Sequence, residues 1–248
     1  MPPAEPRPLR IAELRRPFSQ EDARRRLISQ LALSPATRLL EVAGGLDGWA
    51  IPIAREVGCP VVVAEPDEAV LDALRERLRA SGAKQVDLRR ADPARLPFGD
   101  GEFQAVIAHA GALLPASGAA QGLARLTHFD GRLALLAVTR VGRFPNAQVL
   151  GFWEALLGEA PVLPRELLQT FASAGFEPDR AESLGDVELD ALYRAVEKDL
   201  GADPRSAQLR AEIALHRSQG GRSGYSFSVL SGRRRKPGEK PAAPSSGA

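Results

Sequence analysis

Short continuous apolar runs alternate along this chain with stretches in which apolar residues recur every three or four positions. Arg38-Leu-Leu-Glu-Val42 and Pro60-Val-Val-Val-Ala-Glu65 are runs of the first kind, as are Val86–Arg89, Ala105–Ala108 and Arg132–Thr139. Each predicts a strand buried on both faces. Between them the spacing predicts helices. The first starts at Ser19-Gln-Glu-Asp22, carries Leu27, Ile28, Leu31 and Leu33 on one face, and stops at Ser34-Pro35. Others cover 49–57, with Pro52 in the first turn, and 67–81, closed by Gly82. Residues 121–126, 146–158 and 164–174 read the same way, and Phe176–Ser183 is a weaker strand. Strands separated by helices require parallel crossovers and a sheet covered on both sides.

The alternation breaks late. Val187, Leu189, Leu192, Tyr193, Val196 and Leu200 have helical spacing, and Asp203-Pro204 starts another helix, with Leu209, Ile213 and His216 on one face. Tyr225-Ser-Phe-Ser-Val-Leu230 then alternates as a final strand. The resulting organisation is an irregular arm over 1–17, one domain over 18–231 with a helical insertion at 186–221, and a disordered basic tail over 232–248.

Composition excludes more than it identifies. The 44% of apolar residues suffices for a core, while no apolar run approaches the ~18–20 residues of a membrane span. The start lacks the features of a secretory signal, so a cytoplasmic protein with no membrane contact is expected. One cysteine, Cys59, precludes an intrachain disulfide, and three scattered histidines give no Cys/His metal site. The net charge of +2 is uneven, with the tail carrying +4. That tail reads as a solvated end rather than a nucleic-acid contact.

Chemistry concentrates at the turn after the first strand. Gly44, Gly45 and Gly48 let the backbone bend sharply, and the following helix aims its free N–H groups at that place. Glu41 ends the first strand and Glu65 the second, so both belong at the carboxyl edge of the sheet, where ligands of open α/β sheets bind. Ala43-x-Gly45-x-x-Gly48 also matches the dinucleotide fingerprint loosely, with Ala for its first Gly. An anion beside the loop at Glu41 suits a cationic amino acid moiety and opposes a pyrophosphate.

Taken in order, these segments resemble the class I S-adenosylmethionine-dependent methyltransferases, in the branch that mostly acts on small molecules. Leu39–Ala50 resembles the first motif, Val63–Leu71 the second-strand motif, Asp92–Phe98 the adenine-side motif, and Phe103–Ala108 the fourth strand. Leu126–Ala137 and Pro164–Phe176 resemble the later turns. The resemblance implies a doubly wound, Rossmann-like, seven-stranded sheet, mostly parallel. Its last strand would be antiparallel and inserted beside the strand near 176–183. It implies S-adenosylmethionine as cofactor and a small-molecule acceptor. Glu41 would face the methionine amino group, directly or through water. Ala43, Gly44 and Gly45 would lie under the amino acid part, Glu65 would hold the ribose, and Pro66 would pack on adenine. Asp92 would accept from the adenine amino group, and the backbone around His109 would line the sulfonium side.

Four positions depart from the pattern. Ala43 replaces a usual Gly, Asp47 stands where Gly is common, Pro93 removes an N–H that often reaches the ring, and Gln104 replaces an Asp. They keep open a catalytically silent methyltransferase-like module used for binding or assembly. No catalytic residue is assigned; His109 is the best-placed base if the acceptor needs one. The acceptor, the methylated atom and the oligomeric state are left open.

Overall fold

The computed structural model describes residues 21–44, 48–109, 119–141, 146–157, 160–199, 207–219 and 224–240. The strands are β1 (Leu39–Val42), β2 (Val61–Glu65), β3 (Val86–Arg90), β4 (Phe103–His109), β5 (Thr127–Arg140), β6 (Phe176–Ser183) and β7 (Tyr225–Arg234). The helices among the described residues are α1 (Glu21–Gln30), α2 (Ala50–Val57), α3 (Glu68–Ser81), α4 (Ala119–Leu126), α5 (Ala147–Leu157), α6 (Pro164–Ser173), α7 (Asp186–Asp199) and α8 (Ala207–Ser218). The expected helix starts at Ser19 and Asp203-Pro204 lie outside the described residues.

The strands form one seven-stranded sheet in the order β3-β2-β1-β4-β5-β7-β6. The first five are parallel, and β7 runs antiparallel between β5 and β6. This is the doubly wound sheet and the reversed, inserted last strand that the pattern implied. Both faces are covered. On one, Leu39, Val61, Val63, Ala105 and Ile107 pack against α1, α2, α3, α5, α7 and α8. On the other, Leu40, Val62, Val106 and Leu133 pack against α4 and α6. Helix ends follow the sequence signals. The Asp67 side chain accepts from the Ala69 N–H at 2.9 Å to cap α3, and Gly82 ends it at φ 69°.

Two elements outgrow their predicted limits. β5 begins at Thr127, and its register against β4 jumps from Phe103↔Thr127 to Ala105↔Arg132. The extra residues form a bulge, with Asp130 at φ 65°. A Cβ on Gly131 would lie 2.7 Å from the His128 carbonyl and 2.8 Å from that of Gln104, so only glycine passes there. β7 continues to Arg234, so the domain does not end at 231 and the basic segment starts inside the sheet. The cause is pairing on both sides: Arg233 sits opposite Arg132 of β5 and Glu177 of β6. Its guanidinium meets Asp130 at 2.8 Å and Glu177 and Glu239 at 2.5 Å, while Lys236 meets Asp130 at 2.7 Å. Arg233 and Lys236 are thus held by acids, while Arg234 and Arg235 donate to the backbone carbonyls of Thr127 and Ala172; residues 241–248 lie outside the description. No helix of the described residues is long and apolar enough to cross a membrane.

The insertion helices α7 and α8 pad the sheet. Leu189, Tyr193, Val196, Leu209 and Ile213 are buried in the same cluster as Tyr225, Phe227 and Val229 of β7. Tyr193 and His216 are therefore interior residues rather than part of an open acceptor wall. Trp153 of α5 stacks edge-on against Tyr225, with ring centroids 4.9 Å apart.

Candidate functional site

Strand alternation decides which side chains meet at the carboxyl edge. Glu41 shares the face of Leu39, Glu65 that of Val61 and Val63, and His109 that of Ala105 and Ile107. All three therefore emerge on the α2 side of the sheet. The strands end together, with Val42 opposite Ala64 and Ala108.

Glu41 is fully buried. Its Oε1 accepts from the Trp49 N–H at 2.7 Å, and its Oε2 from the Ala50 N–H at 2.8 Å. These are among the N–H groups that the start of α2 cannot satisfy within the helix, and the positive end of its dipole favours the carboxylate. His109 Nε2 lies 2.9 Å from Oε1. With Glu41 ionised, Nε2 carries the hydrogen of this contact. The glycines serve this carboxylate. A Cβ on Gly44 would come within 2.8 Å of Glu41 Cδ, and one on Gly48 within 2.6 Å of Oε2. The turn is glycine-rich because the chain folds tightly over a buried anion.

Ala43 leaves β1 at φ 53°, a left-handed conformation that costs a residue with a Cβ roughly 1–2 kcal/mol. Glycine at this position removes that cost but loses more entropy on folding. Ala43→Gly is expected to raise stability by about 0.5–1 kcal/mol in urea denaturation. A loss of stability would show that the turn does not strain Ala43.

The other expected residues fall along the same edge. Glu65 is buried, and its Oε1 accepts from the Asp67 N–H at 3.3 Å. Pro66 follows it and is exposed. Asp92, just past β3, is exposed and accepts from the Ala94 N–H at 2.9 Å, a local turn that the intervening Pro93 fits. Gly45 and Asp47 lie outside the described residues, as does Phe144. Trp153 and Tyr193 are buried in the core, and Phe152 is partly buried against it, so none of these aromatic rings forms an open pocket wall at the edge.

A polar network escaped the sequence reading. Tyr193 Oη donates to Glu212 Oε1 at 2.5 Å and lies 2.6 Å from Tyr225 Oη, all of it buried. Burial pushes the Glu212 carboxyl up to about 8 from its ordinary 4.5, which keeps it protonated at neutral pH. Its mark in the sequence was a Glu in place of an apolar residue on the face of α8 that carries Leu209, Ile213 and His216. Arg140 was missed too. It ends β5 at the carboxyl edge as Glu65 ends β2, and that parallel could have been drawn. Among the described residues, no group of three or more His, Cys, Asp or Glu side chains is placed to hold a metal ion.

The buried acceptors at this edge suit S-adenosylmethionine. Glu65 can take ribose hydroxyls, and the charge at Glu41 favours a cationic amino acid and sulfonium. A dinucleotide pyrophosphate would face that same charge unfavourably.

Residues 39–131, from β1 to the β5 bulge, match a family described as a methyltransferase domain. An uncharacterized protein of Haemophilus influenzae is 32% identical over 82 residues, and the match spans 33% of each chain. Among solved structures, the geranyl diphosphate C-methyltransferase of Streptomyces coelicolor A3(2), in complex with S-adenosyl-L-homocysteine, superposes with a TM-score of 0.70 at 16% identity, covering 92% of this chain and 89% of that one. A protein provisionally described as a sarcosine dimethylglycine methyltransferase from Galdieria sulphuraria gives 0.73 at 16% identity, over 86% and 84%. The [4+2]-cyclase SpnF gives 0.70 at 20% identity, over 87% and 83%. At these identities the likeness shows the fold.

Proposed function

We infer that this chain, which matches a methyltransferase-domain family over residues 39–131, transfers a methyl group from S-adenosylmethionine to a small-molecule acceptor. The supporting observation is the placement of Glu41, Glu65 and His109 on one face of the sheet at one edge, beside the Ala43–Gly48 turn. S-adenosylmethionine supplies an electrophilic methyl group on a sulfonium. Glu65 holds the ribose, Pro66 covers one adenine face, and Asp92 accepts from the adenine amino group. Ala43, Gly44 and Gly45 pass beneath the amino acid moiety. Glu41 acts through its charge and by holding the turn, because Trp49, Ala50 and His109 already donate to its oxygens. His109 is the group best placed to receive a proton from an oxygen or nitrogen acceptor, and the alignment of acceptor and methyl supplies much of the acceleration.

Calorimetry with S-adenosylhomocysteine tests the reading. Glu65→Ala is expected to weaken binding by roughly 1.5–3 kcal/mol, the range for a hydrogen bond to a charged group. Unchanged affinity in the folded variant would remove the ribose assignment.

A second reading, a silent binding or assembly module, draws on the left-handed Ala43 and on Pro93, whose missing N–H removes a donor to the adenine ring. A neighbour of this fold described as a cyclase shows that the architecture also serves other chemistry. Absence of S-adenosylhomocysteine binding at millimolar concentration would favour this alternative.

A further inference from the structure

We propose that Arg140, at the carboxyl end of β5, is the anchor for an anionic group, a carboxylate or phosphate, on the acceptor molecule. The proposal rests on the methyl-transfer reading and adds the acceptor's chemical class to it.

β5 alternates so that Ala134, Leu136 and Val138 point to the α2 side of the sheet, and Arg140 continues that series. Leu136 is the register partner of His109. Arg140 therefore projects from the same face and edge as Glu41, Glu65 and His109. It stands four residues beyond the level of His109, about 13 Å at the usual rise per residue. A ligand reaching from the His109 end to Arg140 would carry its charged group at a distance from the methylated atom.

What distinguishes Arg140 is that its side chain has no partner among the described residues. Its Nε is buried and has no hydrogen-bond acceptor, and its guanidinium makes no ion pair or hydrogen bond among the described residues. Arg38 and Arg235 also bury an unpartnered Nε. However, Arg38 pairs with Glu102 at 2.8 Å, and Arg235 donates to the Ala172 carbonyl at 2.8 Å. A partly buried guanidinium with an orphaned donor is costly unless something completes it. A carboxylate or phosphate matches its planar fork of donors.

The neighbourhood adds a second orphan. Tyr225 is the cross-strand partner of Arg140, and Trp153 packs on the Tyr225 ring with its indole Nε1 buried and unpartnered. Glu212 hydrogen-bonds to Tyr193, the neighbour of Tyr225 in this network, and not to Arg140.

The test uses the full chain and two probes, inorganic phosphate and acetate. The readout is the indole N–H resonance of Trp153, identified by its loss in Trp153→Phe. In the wild type at least one probe should shift it saturably, and the stronger one names the anion's source. Arg140→Gln should weaken that response about tenfold or more, the value of one charge-assisted hydrogen bond, and Arg140→Lys should restore part of it. A resonance that neither probe moves, or an equal response in folded Arg140→Gln, would overturn the proposal. Affinity for S-adenosylhomocysteine, measured in the same samples, should not change in Arg140→Gln. Its absence in the wild type would defeat the methyl-transfer reading while the anion response decides the Arg140 site separately.

Discussion

Glu41→Ala is expected to destabilise the protein by about 3–5 kcal/mol, the scale for removing one partner from a buried ionic cluster. Alanine would leave the N–H groups of Trp49 and Ala50 and the Nε2–H of His109 without the acceptor each has at 2.7–2.9 Å. An unsatisfied buried donor costs about 1–3 kcal/mol, and the vacated space beneath Gly44 and Gly48 adds a cavity term. Because the carboxylate also holds the start of α2 against β1 and β4, the loss should extend to S-adenosylhomocysteine binding. Glu41→Gln keeps the shape but turns an amide N–H₂ toward donors, so it should fall between alanine and wild type. Urea denaturation measures both. A loss below about 1 kcal/mol for Glu41→Ala would mean that the carboxylate does not carry the turn.

The second large effect is a gain. Glu212 is raised to about 8 in the folded protein against an ordinary 4.5. The folded state therefore holds this proton more tightly than the unfolded state does. Stability falls as pH rises from about 4.5 to about 8 and is level above that for this group. Each unit of displacement is worth about 1.4 kcal/mol, so the penalty at alkaline pH reaches a few kcal/mol. Glu212→Gln keeps an acceptor for the Tyr193 hydroxyl and cannot ionise. It should be more stable than wild type by a few kcal/mol at pH 9, with the difference shrinking toward pH 5. His216, also buried, is pushed the other way by desolvation. Its proton is favoured in the unfolded chain, so it takes stability away as pH falls below 6.5, and that acid limb should persist in Glu212→Gln. Thermal denaturation across pH checks this. Parallel curves for wild type and Glu212→Gln would show that Glu212 is ionised at no such cost.

The periodicity of the sequence located the strands from β1 to β7 and most of the helices, because burial on one or both faces imposes its spacing directly on the residues. It also put Glu41 and Glu65 at strand ends, and hence at the ligand edge. It did not reveal that Gly44 and Gly48 make room for the Glu41 carboxylate, or that His109 donates to it. The His109 contact joins residues 68 positions apart, and only the β1–β4 register brings them within hydrogen-bond reach.

What the sequence determined by itself is the set of elements, their parallel order and the chemistry concentrated after β1, since each follows from local spacing and turn residues. Tertiary structure decided how far β5 and β7 extend, because strand length depends on partners. It decided that Arg233, inside β7, is paired with Asp130, Glu177 and Glu239, and Lys236 with Asp130. It also decided that Tyr193 hydrogen-bonds to Glu212 and Tyr225 in the interior while the Arg140 side chain has no partner among the described residues, since the cost or use of a polar group depends on what lies opposite it.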